Sequence, residues 1–280
     1  MRLHVGDAFA AALETAQGFR WKEYSPFFLI LATQVVFLAL ATQLHHPWAM
    51  AVVAPVATWF GGAGSLHYPI FYGYLSVLMA WVEAFLYAIP GSVLIPLAIL
   101  RLYARTDRAL SLGAGAFARL AGAVFPTLLA GLAGVGCLWG WQRWVAPAAG
   151  PFIRNFIPGP SAVFLTWVVA VLGGYLTLSL LLYIPVAAVQ ARSSLPRAIA
   201  LGLRFGVRAL PVTLILAVAF GLPAIGIQYF LERQSSMILT KLRPETIAVL
   251  LAVYAAFTSI ATYLTYGMAA RLYRMARGDS

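Results

Sequence analysis

Apolar residues in this chain do not alternate with polar ones. They run in long blocks separated by short basic segments. A helix needs roughly 20 residues to cross about 30 Å of hydrocarbon. Six blocks are that long: about Pro26–Leu44, Met79–Leu100, Leu120–Trp141, Val163–Val189, Ala209–Leu231 and Thr246–Ala270. Lipid offers the backbone no hydrogen bonds, so each block is predicted to be a helix. The short alternating segments of a membrane barrel do not occur. Mixed apolar and basic segments at Val5–Lys22, about Ala109–Ala121 and about Leu195–Ala209 predict interfacial amphipathic helices.

The order reads as one unit used three times: amphipathic helix, span out, outer loop, span back. Registering Pro126 on Pro211 also aligns Leu110 with Leu195 and Arg119 with Arg204. A proline opens each outgoing span, Pro26 in the first, where its missing N–H costs nothing. The candidate repeats are 1–104, 105–190 and 191–280 within a single membrane domain 1–280, related about an axis along the membrane normal. Ordinary basic linkers ahead of a span account for the pattern equally well.

Composition supports this picture. Of 280 residues, 62% are hydrophobic and 10% charged, against about 45–50% and 25% in soluble domains. The fold class is all-α: a polytopic integral membrane protein with six transmembrane helices and amphipathic helices on one side. The net charge of +11 would suggest a nucleic-acid partner, but the placement of the charges argues otherwise. Fourteen Lys and Arg fall in the segments around Arg20, Arg101, Arg204 and Arg271, and five on the other side: Arg143, Arg154, Arg233, Lys241 and Arg243. This asymmetry predicts both termini in the cytoplasm of a bacterial inner membrane. The basic residues then serve insertion and contact with anionic headgroups. Asp7, Glu14 and Glu23 precede the first apolar block, which argues against a cleaved signal peptide. The lone Cys137 excludes an intramolecular disulfide.

The predicted outer loops differ. His45–Pro69 carries no Lys or Arg, and Trp48, Trp59 and His67 are its candidate interface residues. It is expected to lie ordered at the outer surface, with Gly61-Gly62-Ala63-Gly64 breaking any helix. Gln142–Ser161 is flanked by an aromatic belt that includes Trp139, Trp141 and Trp144, and Glu232–Glu245 is polar.

Glu83 is the one acidic residue inside the apolar blocks, and an intramembrane carboxylate marks a functional site by default. Eighteen residues separate it from Arg101, about 27 Å of straight helix. That places it near the outer interface, where Arg143 or Arg154 could pair with it; a structural ion pair and a proton- or ligand-binding role both remain open. Pro90-Gly91 and Pro96 predict a kink in the second span. Gln34 and Thr33 in the first span, with Thr258, Ser259, Thr262, Tyr263, Thr265 and Tyr266 in the last, either line a polar cavity or pack between helices. Gly136-x-x-x-Gly140 and Gly173-Gly174 predict close helix approach. His45, His46 and His67 match no zinc spacing. Neither a Walker loop nor HExxH occurs, and no cofactor or metal is expected.

Leu182-Tyr183-Ile184-Pro185-Val186-Ala187 followed by Leu195-Pro196-Arg197-Ala198-Ile199, echoed by Ser111–Pro126, resembles a pattern in bacterial six-helix membrane proteins. It is similar to the Yip1-like and glycerophosphodiesterase-membrane-domain-like groups. The resemblance implies a non-enzymatic role in membrane organisation or transport and assigns no site. Three functions follow. The leading one is an inner-membrane subunit that binds lipid or partner transmembrane helices, including further copies of itself. The second is a permease that docks a separate ATPase. The third is an intramembrane lipid-modifying enzyme that uses Glu83.

Overall fold

With backbone donors and acceptors satisfied inside each segment, every described element is a helix or helical turn. The computed structural model describes residues 4–68, 70–104, 114–145, 148, 150, 151, 153, 155, 160–191, 195–241 and 243–277. The helices are α1 (Val5–Gln17), α2 (Trp21–Thr42), α3 (Pro47–Gly61), α4 (Ile70–Ala88), α5 (Gly91–Ala104), α6 (Ala114–Gly140), α7 (Pro160–Leu181), α8 (Tyr183–Ala191), α9 (Leu195–Lys241) and α10 (Thr246–Arg277). Six stretches are long and apolar enough to cross a membrane: Trp21–Thr42, Ile70–Ala88, Gly115–Val145, Phe164–Gln190, Leu195–Leu231 and Thr246–Ala276. The architecture is that of a multi-pass membrane protein.

Two candidate spans are broken, and proline accounts for both breaks. Pro90 has no N–H to give Leu86, so α4 ends at Ala88 and α5 restarts at Gly91. The predicted second span, Met79–Leu100, straddles this break; the span-length helix is instead Ile70–Ala88. Pro185 likewise cannot continue the helix from Leu181. The chain turns at Leu182, and Pro185 lies in the first turn of α8, where it is tolerated.

The amphipathic segments also differ from expectation. The first ends at Gln17, before Gly18. Of the second, residues 109–113 lie outside the described residues, and the rest forms the first turns of α6. The third is continuous with its span in α9, a helix of 47 residues that is about 70 Å long at 1.5 Å per residue. The same helix absorbs most of the predicted third outer loop and ends only at Lys241. Pro126 and Pro211 therefore sit inside helices instead of opening them.

Packing divides the molecule into two ends. At the basic end, which carries Arg101, Arg204 and Arg271, parts of α2, α5, α6, α8, α9 and α10 share one core. Leu182–Val189 is almost wholly buried, so α8 forms the middle of that core. Aromatic rings interlock there: Tyr183 with Phe205 at 4.7 Å, Phe205 with Tyr273 at 5.0 Å and Tyr24 with Tyr263 at 5.6 Å between centroids. Such pairs add about 0.5–1.5 kcal/mol each beyond their burial. Arg101 ties α5 to the start of α2 by donating to the Lys22 carbonyl at 2.6 Å and the Ser25 hydroxyl at 2.9 Å.

At the opposite end α2, α3, α4, α9 and α10 form a second core. The predicted first outer loop is mainly α3, whose Ala49, Val53 and Ala57 recur every fourth residue and are buried. Gly62 ends it at φ +73° and ψ 174°, a conformation that is essentially restricted to glycine. A Cβ there would meet no neighbour within 4 Å. Gly62→Ala should therefore destabilise through the backbone alone, by about 1–3 kcal/mol, read as a lower melting temperature in detergent. Unchanged melting would show that this turn relaxes freely.

Glycine sets the closest helix approaches. A Cβ on Gly202 of α9 would lie 2.6 Å from the Ile184 Cα, and one on Gly206 would lie 2.6 Å from the Leu180 carbonyl oxygen. The two glycines thus clasp the α7–α8 break. Gly131 of α6 meets the Ala88 backbone at the α4–α5 break in the same way. The predicted pairs behave differently. Gly136 and Gly174 face open space, Gly173 meets the Trp141 ring, and Gly140 meets Trp144 of its own segment.

Candidate functional site

Glu83 lies on α4 just ahead of the α4–α5 break. The Tyr254 hydroxyl of α10 hydrogen-bonds to its carboxylate. Tyr87, one turn further along α4, hydrogen-bonds with Thr262. Tyr175 of α7 lies within electrostatic range of the same carboxylate. Gly221 of α9 makes room for Tyr175, because a side chain there would overlap the tyrosine hydroxyl. Glu83, Tyr87, Tyr175, Tyr254, Thr258 and Thr262 thus form a polar cluster between α4, α7 and α10.

This group lies well inside the bundle from the α10 end at Thr246. Tyr254 is eight residues inside α10 from Thr246, about 12 Å at 1.5 Å per residue. Gly221 is midway along α9 between Arg208 and Arg233. The interfacial estimate assumed a straight helix from Glu83 to Arg101, and the α4–α5 break removes that assumption. Of the two expected partners, Arg143 is exposed in the turn of π-helix at Trp141–Val145, and Arg154 lies outside the described residues. The group seen against the Glu83 carboxylate is the Tyr254 phenol, and an ion pair joins Arg271 to Glu14.

Two further hydroxyl contacts join α2 to α10. The Tyr24 and Ser259 hydroxyls share a hydrogen bond at 3.1 Å, and the Tyr263 hydroxyl donates to the Glu23 carboxylate at 3.5 Å. Glu23 is only 3% exposed and sits in the first turn of α2, where the helix N-terminus favours negative charge.

Of the other sequence candidates, Thr262 belongs to the polar cluster and also donates to the Thr258 carbonyl at 2.7 Å. Tyr266 is buried with its ring stacked on Phe27 at 6.0 Å. Gln34 is buried on α2, its amide nitrogen lacking a partner among the described residues. Trp48 and Trp59 point outward, 57% and 85% exposed, as membrane-anchoring rings would. His67 is exposed beside them, and His46 stacks on Trp48.

Sequence reasoning missed Tyr254, Tyr175, Tyr87 and Glu23. A signal for the first was present: Tyr254, Thr258, Thr262 and Tyr266 recur every fourth residue, which places them on one face of α10. Nothing local marks Tyr175, whose role depends on a glycine 46 positions away. Chemically, the cluster can hold a proton or a small cation at Glu83, with the Tyr254 phenol as a second titratable group in hydrogen-bond contact. Among the described residues no three His, Cys, Asp or Glu converge as metal ligands. No protein-family model matches the chain, and neither curated proteins nor solved structures yield a match.

Proposed function

We propose that this protein is a non-enzymatic subunit of a bacterial inner membrane, binding lipid or partner transmembrane helices. The observation that carries this reading is an open apolar flank beside a closely packed bundle. In α6 and the α7–α8 span, 22% of the most apolar window is buried, against 33% in each of the other four spans. Phe125, Leu129 and Leu132 of α6 and Phe164, Leu172 and Leu176 of α7 are exposed. Gly136 leaves part of this flank open for close helix approach. The role agrees with what the resemblance to six-helix membrane proteins implies. Purification in mild detergent should yield the protein with phospholipid or a membrane-protein partner, and a photo-crosslinker at Leu132 or Leu176 should capture the same species. A bare monomer that crosslinks to neither would overturn this function.

The polar cluster around Glu83 favours a second reading, a permease component in which Glu83 binds the transported cation or a coupling proton. Net uptake of a labelled cation by proteoliposomes, abolished by Glu83→Gln, would establish it.

For both readings the Lys and Arg asymmetry supports an orientation with the basic end in the cytoplasm. A cysteine introduced at Arg208 should resist impermeant thiol reagents in intact cells, whereas one at Lys241 should react. The reverse pattern would invert the topology, and equal labelling from one side would break the six-span arrangement.

A further inference from the structure

A cleft of about 510 Å³ opens at the basic end between α1, α5 and α10. Its charged lining is balanced: Asp7 and Glu14 from α1, Arg271 and Arg274 from α10. Arginines three apart on a helix share a face, as do carboxylates seven apart, so α10 presents its two cations to the two anions of α1. Glu14 and Arg271 already form an ion pair across the cleft. An ionised carboxylate has about four acceptor sites and a guanidinium five donors, so this bond leaves most of their capacity unused. Asp7 accepts from the His4 backbone N–H at 3.3 Å, again with acceptor sites left over. Small residues, Ala10, Ala11, Gly267 and Ala270, keep the space open, and Leu102 and Met275 add apolar wall. Outside the cleft α1 presents Val5, Phe9 and Leu13, each over 40% exposed. That stripe suits the boundary between headgroups and acyl chains.

We propose that this cleft seats the headgroup of a zwitterionic phospholipid, with its phosphate between Arg271 and Arg274 and its primary ammonium against Asp7 and Glu14. The assignment rests on the lipid-binding reading above and names its site. A guanidinium pair matches a phosphate by planar, charge-assisted hydrogen bonds. Two carboxylates beside it would repel a purely anionic headgroup, so the cleft selects for a positive group next to the phosphate. The lipid tails would leave along the Val5–Leu13 side.

The test is native mass spectrometry of the full chain in detergent. It would be titrated with phosphatidylethanolamine, phosphatidylglycerol of the same chains, and soluble phosphoethanolamine. The ethanolamine lipid should bind at one saturable site, about tenfold more tightly than the glycerol lipid, as expected for one charge-assisted contact. Arg274→Gln should weaken both lipids, and Arg274→Lys should restore part of the loss. Asp7→Asn should weaken the ethanolamine lipid alone. Variants with wild-type melting make each comparison valid. If both lipids bind equally and the variants change neither, the cleft is not the site, although lipid binding itself stands. If no phospholipid binds the wild type, the lipid-binding reading fails with it. If phosphoethanolamine binds as tightly as the lipid, the ligand is a soluble phosphate compound and the lipid assignment is wrong.

Discussion

Replacing both Gly202 and Gly206 with leucine should unfold the basic end. Each glycine meets backbone: a Cβ on Gly202 would sit 2.6 Å from the Ile184 Cα and 2.8 Å from its nitrogen, and one on Gly206 would lie 2.6 Å from the Leu180 carbonyl oxygen. A rotamer change cannot relieve such contacts, so α9 must move away from the α7–α8 break. That shift would pull Phe205 from Tyr183 and Tyr273, and would separate the Tyr183 and Thr213 hydroxyls, now 2.8 Å apart. Overpacking costs typically about 1–3 kcal/mol where side chains can yield. With backbone on both sides, the double variant should lose about 3 kcal/mol or more, and Gly206→Ala alone a measurable part of that. Thermal melting in detergent reads this directly. Gly136→Ala and Gly174→Ala are the controls, since a Cβ at either meets nothing within 4 Å. Wild-type melting of the double variant would mean that α9 does not approach the break this closely.

Removing the Glu83 side chain should have the second-largest effect. Glu83→Ala leaves the Tyr254 hydroxyl without its acceptor inside the bundle and opens space beside Tyr87 and Tyr175. An unsatisfied buried hydroxyl costs about 1–3 kcal/mol, so a loss in that range is expected. Glu83→Gln keeps an acceptor oxygen for Tyr254 and should stay within about 1 kcal/mol of wild type. Tyr254→Phe provides the cycle: combined with Glu83→Ala, it should cost less than the sum of the single changes, by about 0.5–1.5 kcal/mol. Strict additivity would show that the two side chains do not interact. If Glu83→Gln folds and melts normally yet loses cation uptake, then the carboxylate charge serves function and not packing. The permease reading would then displace the subunit reading.

Hydroxyl contacts between α2 and α10 likewise depend on packing. Tyr24 and Ser259 are far apart in sequence yet 3.1 Å apart in space. A pattern read along one helix at a time cannot reveal such a contact.

What the sequence determined by itself was what lipid demands of any chain. Hydrocarbon tolerates only helices of sufficient length, so long apolar blocks predict span-length helices without reference to their neighbours; six such helices are present, although the second is Ile70–Ala88 and not the block Met79–Leu100. Gly61-Gly62 ends α3 through backbone freedom alone, which is equally local. Proline was half legible: Pro90 and Pro185 both interrupt helices for a covalent reason, yet a continuous apolar block conceals whether the chain bends or restarts. Close approach was not legible. Gly136-x-x-x-Gly140 and Gly202-x-x-x-Gly206 have the same spacing, and only the second meets another backbone. The partner of Glu83 was not legible either, because it depended on how far α4 runs before it breaks. Tertiary structure decided these points, because contacts between helices depend on side chains that the sequence separates widely and only packing brings together.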